Sequence, residues 1–340
     1  MANNPAISVI IPMYNVEKYI GPCLNSILYQ TFQDFEVIVV DDKSSDKSVS
    51  VVESLVPNFN GRLTLIKMSK NSGCAGIPRN IGFNHSKGNY VYFMDSDDML
   101  TNTALQELYS FTDNGNVDLI HAPQNFVPVI KMADGQMIDT DIIEKDQEFK
   151  VVRLVEYEKP TFEPNNVGDR IKRFSHGQFG GAPWRYFARR NLIIENHLQF
   201  IDTKRFEDSL FFFYCICCAK KIINIPNLFY IYRVRPSSLC HNLDNRAIDK
   251  KIDMMIKVFI SLDEFMHKKK IFVEKPELKY WVFNSFIRKL NDIFTVDIGK
   301  LPPYELDKYM YKKFSEDPRA GIALASYSFN MMNYFSSAFA

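Results

Sequence analysis

The chain has 340 residues, a formal net charge of +1 and 46% hydrophobic residues. That composition supplies at least one large core and excludes a disordered or fibrous chain. The near-balanced charge lacks the basic excess that nucleic-acid binders carry, so no nucleic-acid partner is expected.

In chain order, ISVII is a short apolar, β-branched run that ends at Pro12 and predicts a buried strand. VEKYIGPCLNSILYQ follows with helical spacing at Ile20, Leu24, Ile27 and Leu28. FEVIVV, LTLIK, YVYFM and VDLIHA read as further strands, separated by predicted helices in SVSVVESLV, IPRNIGFNHS and NTALQELYSF. Continuous apolar strands alternating with amphipathic helices predict βαβ units and a mostly parallel sheet buried on both faces. Residues 123–175 are less regular and predict sheet-edge strands with a mobile loop. GGAPWRYFARRNLI and RFEDSLFFFYCICCAKK read as helices, with IINIP and LFYIYRV as closing strands. Beyond residue 240, IDKKIDMMIKVFISLDEFMHKK and ELKYWVFNSFIRKLNDIF are amphipathic helices, and KLPPYELDK starts another.

The six cysteines give no second pair at zinc spacing, and Cys215-x-x-Cys218 lies inside an apolar helix. They are expected to be reduced core thiols of a cytoplasmic protein. MANNPAISVIIPMYN has neither the basic flank nor the apolar run of a secretory leader. Gly321–Ala340 carries no charged residue, yet its Ser and Asn content suits a packed or membrane-surface helix better than a span.

In parallel α/β sheets ligands bind beyond the carboxyl ends of the strands. That rule selects four loops: PMYN, DDKSSD, SKNSGCAG and DSDDM. Asp95, Asp97 and Asp98 repel one another at a strand end, an arrangement suited to Mg²⁺ or Mn²⁺. Asp97 or Asp98 can equally cap the helix that follows. Asp41 and Asp42 can accept from a base or a ribose, and Asp46 suits the cap of the next helix. Arg79 either meets a diphosphate or pairs with one of the nearby aspartates. Glu207-Asp208 precedes an apolar helix, as a favourable N-terminal charge pair or as a carboxylate base. His176 and His241 are candidate metal ligands beside the second-half motifs. Neither G-x-x-x-x-G-K-[ST] nor a G-x-G-x-x-G after the first strand is present, which removes the main support for a phosphate-loop or dinucleotide-binding Rossmann protein.

Together, SVIIPMYNVEKYIGPCLNSILYQTFQDFEVIVVDDKSSDKS, NSGCAGIPRNIG, GNYVYFMDSDD and FEDSLFF resemble glycosyltransferase family 2 in order and spacing over about residues 6–235. The resemblance implies an α/β GT-A fold, Rossmann-like, with a mostly parallel sheet, flanking helices and here a C-terminal helical extension. It implies a nucleotide-sugar-binding half at 1–122 and an acceptor-binding half at 123–238, with the extension at 239–340. Carried over residue by residue, Pro12 and Tyr14 lie at the nucleobase, and Asp42 with Asp41 bonds uracil. Arg79 lies near the nucleotide, and Asp95 with Ser96 belongs to the ribose side. Asp97 binds Mn²⁺ or Mg²⁺ through the donor diphosphate, assisted by Asp98; Asp208 resembles the general base, and Glu207 orients it or the acceptor. The implied activity is inverting transfer from a UDP-sugar to a hydroxyl of a glycan or lipid-linked saccharide in surface-polysaccharide synthesis. From its aromatic, uncharged end, the helical region after residue 240 is expected to pack on the acceptor half, make a homodimer or hold a cytoplasmic enzyme peripherally at the membrane.

The pattern departs from the family in DDKSSDKS, where Lys43 and Lys47 replace glycines and Ser45 replaces Thr, and at Pro78, where Ala is common. No Q-x-x-R-W is present, which argues against a processive synthase. The alternatives are a sugar-nucleotide nucleotidyltransferase and a non-catalytic sugar-binding relative. PMYNVEKY has no glycine before Gly21, which counts against the first.

Overall fold

A computed structural model describes residues 4–128, 149–233, 248–286 and 315–316. The chain divides into two compact units, Met1–Asn165 with Gly180–Asn242, and Asn166–Phe179 with Leu243–Ala340.

The first unit opens with β1 (Ile7–Met13), all seven residues of which are buried. Then come α1 (Ile20–Leu28), β2 (Phe35–Asp41), α2 (Ser48–Leu55), β3 (Leu63–Lys67), α3 (Gly76–His85), β4 (Tyr90–Phe93), β5 (Met99–Leu100), α4 (Ala104–Ser110) and β6 (Leu119–His121). Apart from the short β5, which was not expected, these match the expected alternation. The irregular stretch supplies β7 (Gln124–Pro128), β8 (Phe149–Arg153) and β9 (Thr161–Phe162), and within the other unit α5 (Val167–Ser175). β10 (Tyr186–Arg189), α6 (Arg190–Glu195), α7 (Glu207–Cys218), β11 (Ile222–Asn224) and β12 (Tyr230–Ile231) complete the first unit.

The eight-stranded sheet runs β3-β2-β1-β4-β10-β6-β11-β9. β1 pairs parallel to β2 on one side and to β4 on the other. It is therefore the strand where the winding order reverses, the place where α/β sheets open a crevice at their carboxyl ends. The β1–β4 ladder stops at Ile10, so Pro12, with no N–H to give, falls where one side of the pairing has ended. A second sheet runs β5-β12-β7-β8 and packs chain from both halves of the unit together.

One expected helix is wrong in part. GGAPWRYFARRNLI begins as a 3₁₀ turn at Pro183–Arg185 and then forms β10, inserted antiparallel between β4 and β6, before α6. Phe187 pairs with Tyr92 on one side and Ile120 on the other, and its ring stacks on Tyr90 at 4.9 Å. A four-residue strand buried on both faces carries no alternation, and Trp184, Ala188 and Leu192 happen to match helical spacing.

The second unit joins α5 to α8 (Ile248–His267), α9 (Ile271–Glu274) and a helical stretch at 277–286. Asn166 caps α5 by accepting from the amides of Gly168 and Asp169. Phe174 meets Phe286 at 5.8 Å and the Ser175 hydroxyl donates to the Trp281 carbonyl at 3.0 Å. Met255, Ile256, Phe259, Leu278, Val282 and Phe286 are buried and Trp281 half-buried, in keeping with the amphipathic helices expected there. Of the described cysteines, Cys23, Cys74, Cys215 and Cys217 are buried and Cys218 half-buried, all as free thiols. Among the described residues no helix is long and apolar enough to cross a membrane. Cys240, His241, the helix expected at KLPPYELDK and the uncharged Gly321–Ala340 lie outside the described residues.

Candidate active site

The loops after β1 and β2 are laced together. Asp41 ends β2 and accepts the Ser44 amide on both oxygens, at 3.1 and 3.3 Å. Asp46 accepts the Ser48 amide at 2.9 Å and hydroxyl at 2.6 Å and the Glu17 amide at 3.0 Å. It thus serves the start of α2 from one residue outside the geometric cap, Lys47. Burial opposes its charge, yet these hydrogen bonds from Ser48 and Glu17 hold its carboxyl below the usual range. Lys43 stands at φ +62°, the left-handed region, where the family pattern has glycine. Asn15, itself at φ +49°, accepts the Ser45 amide at 2.8 Å. Of the two residues expected at the nucleobase, Pro12 is buried in β1 while Tyr14 is 49% exposed.

Asp42 holds the loop after β3. Its Oδ1 accepts the Ser72 amide at 2.7 Å, and its Oδ2 accepts the Ser72 hydroxyl at 2.9 Å and the Gly73 amide at 3.3 Å. Gly73 has φ +74°, a conformation that glycine adopts without penalty.

At the end of β4 the acidic cluster separates. Asp95 and Asp97 are half-buried, Ser96 is buried, and Asp98 is 1% exposed. Asp98 accepts the Tyr230 hydroxyl at 2.5 Å and the Arg233 amide at 2.7 Å, so it fastens β12 to the turn. Helix α4 is capped at Thr103, so neither Asp97 nor Asp98 plays that part. The helix-cap expectation for Asp98 fails for this reason, and both of its oxygens are already engaged within the protein. Burial, with the charges of Asp97 and Asp95, pushes its carboxyl well up against the two hydrogen bonds. Tyr230 also accepts the Asp95 amide at 3.4 Å.

The remaining parts meet at the starts of α3 and α7. Gly76 opens α3 against the chain before α7: a Cβ there lies 2.8 Å from the Ile201 carbonyl oxygen, 3.0 Å from Phe200 Cβ and 3.1 Å from Glu207 Cγ. One turn on, Arg79 gives one terminal nitrogen to Asp95 at 2.8 Å and the other to Glu207 at 3.2 Å. Arg79 makes the ion pair that the sequence allowed with Asp95, and a second one with Glu207. Its side chain is 5% exposed and its guanidinium lies 5.4 Å from the Phe200 ring centre. Burial works against its charge, but Asp95, Glu207 and Asp208 outweigh it and raise its proton affinity.

Glu207 is 6% exposed. Burial first and Asp208 next push its carboxyl up to about 8, against the pull of Arg79. Asp208 is half-buried, and its Oδ1 accepts the Ser209 amide at 2.6 Å. The residue before the pair, Phe206, has φ +67°, which for a bulky side chain is strained. Behind the pair α7 is almost wholly buried, with Phe211 stacked on Phe200 at 3.9 Å. Gly181 closes the other side, where a Cβ falls 2.0 Å from the Ser209 hydroxyl oxygen.

The structure therefore brings Asp95, Arg79 and Glu207 into direct contact, with Asp208 beside them. His176 belongs to the second unit, where its ring lies 5.3 Å from Trp281 and its Nδ1 2.6 Å from the Lys172 carbonyl oxygen. Sequence reasoning missed Tyr230 and Phe206. No local pattern marks either, since one acts through a contact 132 positions away and the other through its backbone. Among the described residues no group of three or more acidic, His or Cys side chains is placed to hold a metal. A half-buried Asp97 beside Asp95 nonetheless fits Mg²⁺ or Mn²⁺, which take one or two carboxylates and fill the other positions with phosphate oxygens and water.

A mostly parallel sheet with carboxylates at its strand ends and an acidic pair opening a buried helix defines a GT-A glycosyltransferase. The model of the family described as Glycosyl transferase family 2 matches residues 8–181, just over half of the chain. The chain belongs to that family and is a glycosyltransferase. It is 27% identical over 264 residues to the uncharacterized glycosyltransferase EpsJ of Bacillus subtilis, covering 76% of this chain and 69% of EpsJ. It is 32% identical over 177 residues to the poly(ribitol-phosphate) beta-N-acetylglucosaminyltransferase TarP of Staphylococcus aureus, covering 50% of this chain and 53% of TarP. The crystal structure of S. aureus TarS 1–349 in complex with UDP-GlcNAc shares the fold, with TM-score 0.58 and 22% identity over 94% of this chain and 87% of that one.

Proposed function

We propose that this enzyme moves a sugar from a UDP-sugar to a hydroxyl of a surface glycan or lipid-linked saccharide, inverting the anomeric centre. The observation that carries the reading is the Asp95–Arg79–Glu207 contact, which sets the strand-end carboxylates against the acidic pair of α7. Family membership and the likeness to TarP and to TarS with UDP-GlcNAc support donor class and glycan acceptor. The nucleotidyltransferase alternative is set aside with the family, and the retained acidic pair argues against a non-catalytic relative.

On this reading Asp41 and Asp42 fix the loops around the base, through the amides of Ser44, Ser72 and Gly73. Asp95 and Ser96 lie on the ribose side. Asp97 would hold the divalent cation, which when bound supplies positive charge beside the leaving diphosphate. Asp208 takes the proton of the attacking hydroxyl as the acceptor oxygen bonds to the anomeric carbon and the diphosphate departs from the opposite face. A single displacement of this kind turns an α-linked donor into a β-linked product. Glu207, buried and poised near neutrality, raises the basicity of its neighbour whenever it is ionised.

We assign residues 1–122 to the donor half and 123–238 to the acceptor half. The uncharged Gly321–Ala340 is the stretch suited to bring the enzyme to a membrane bearing a lipid-linked acceptor. Membrane fractionation of a chain shortened before Gly321 tests that role, and unchanged partitioning removes it. The donor is tested by a thermal-shift screen of UDP-, GDP- and dTDP-sugars with Mn²⁺. A UDP-sugar should raise the melting temperature by binding linkage, and no shift with any UDP compound would count against the assignment.

A further inference from the structure

We infer that Arg79 is a positioning residue for the transfer reaction, tying Glu207 and Asp208 to the end of β4, and is not a ligand of the donor diphosphate. The inference rests on the glycosyltransferase reading of the site and adds a part to it.

Four observations converge. Each terminal nitrogen of Arg79 already donates to a carboxylate, one to Asp95 and one to Glu207, and the side chain is 5% exposed. Little of it faces a ligand. Its Nε is buried with no acceptor, so its place is dictated by the two carboxylates and not by satisfaction of the guanidinium itself. Gly76, at the first position of the same helix, leaves room for Glu207 Cγ where any side chain would press on it. Finally, Phe206 holds a left-handed backbone immediately before Glu207. Such strain persists only where surrounding contacts over-determine it, and the Arg79 fork is one such contact. A lysine keeps the charge at this place but lacks the planar fork that reaches two carboxylates at once.

The charges facing Glu207 are Asp208 on its own helix, Arg79 on α3 and Asp95 at the end of β4. The first and last favour its proton, while Arg79 and a hydrogen bond from the Glu207 backbone oppose it. Removing the cation therefore moves the titration of the Glu207–Asp208 pair upward from about 8.

The test is a double-mutant cycle of wild type, Arg79→Met, Glu207→Gln and both, with Arg79→Lys as the variant kept should Arg79→Met fail to fold. Turnover of a UDP-sugar is followed as kcat, donor KM and pH profile. The bridge predicts that Arg79→Met and Arg79→Lys each lose on the order of 10²-fold in kcat, the scale of a misplaced catalytic group. Donor KM should stay within about threefold, and the double variant should be no worse than the poorer single one. The inflection near 8 should rise in Arg79→Met and vanish in Glu207→Gln. Losses that multiply, or a raised donor KM with an unmoved inflection, would overturn the bridge in favour of a phosphate ligand. A wild type that turns over no nucleotide sugar removes the reading of the site instead. The bridge is then judged by ¹³C-carboxyl NMR of Glu207, expected to titrate higher in Arg79→Met and contradicted by an unchanged titration.

Discussion

Arg79 and Glu207 meet at 3.2 Å across 128 positions of sequence, and both are buried. This pair joins the segment that follows β3 to the segment that opens α7. Burial of Glu207 and the charge of Asp208, against the pull of Arg79, also make part of the fold's stability depend on pH. The folded Glu207 carboxyl lies at about 8 against an ordinary 4.5, so the folded state binds its proton more tightly than the unfolded chain. The contribution is fully present below the unfolded value and is lost as pH rises through the folded one.

Urea unfolding should therefore show stability falling between pH 4.5 and about 8, with Glu207 supplying at most about 1.4 kcal/mol per pH unit. Glu207→Gln should flatten that part of the profile. An equal slope in the variant would place the titration elsewhere.

Asp98 and Asp97 should separate experimentally. Asp98→Ala leaves the Tyr230 hydroxyl and the Arg233 amide without their acceptor. It should cost about 2–4 kcal/mol in urea unfolding, and calorimetry should find Mn²⁺–UDP affinity nearly unchanged for the folded fraction. Asp97→Asn should do the reverse, with stability held and Mn²⁺-dependent UDP binding lost.

Lys43 occupies a left-handed backbone conformation at φ +62°. Such a conformation costs a side-chain-bearing residue roughly 1–2 kcal/mol, while glycine there gives back roughly 0.5–1 kcal/mol in unfolded-chain entropy. Lys43→Gly should stabilise the protein by about 0.5 kcal/mol, read as a rise in the denaturation midpoint. A lowered midpoint would mean that the lysine side chain makes a contact worth more than the strain.

Gly181→Ala would set a methyl 2.0 Å from the Ser209 hydroxyl and 3.1 Å from its Cα, one residue past the acidic pair. Over-packing of that kind costs about 1–3 kcal/mol. The expected result is a lower melting temperature and a lower kcat, since the start of α7 must shift. Adding Ser209→Gly should restore part of both, and a kcat untouched by Gly181→Ala would dissociate this contact from the site.

Much of the first half was legible because its signals are local. Most strands from ISVII to VDLIHA are short, largely apolar runs closed by polar residues, although edge strand β3 buries only Leu63, and the rule for parallel sheets then singled out the four loops. β10 escaped because four residues buried on both faces have neither alternation nor length. The helix α5 escaped because Asn166, its cap, sits in a stretch dominated by charge and proline. Arg79 stood open between a diphosphate and an ion pair with a nearby aspartate, and its contact with Glu207, 128 positions away, is one that no spacing encodes. The same holds for Asp98: its neighbours in sequence suggest a cap, while its partners come from β12 and the residues just after it.

The most direct test of the account is the pre-steady-state and steady-state turnover of Asp208→Asn beside wild type, with UDP–Mn²⁺ binding measured on both. Asp208 accepts the Ser209 amide at 2.6 Å, a bond that the side-chain oxygen of an asparagine can also accept. The account predicts UDP affinity within about threefold of wild type and kcat down by about 10²–10⁴-fold, the range expected for loss of a general base. Turnover at the wild-type rate with UDP bound normally would contradict it.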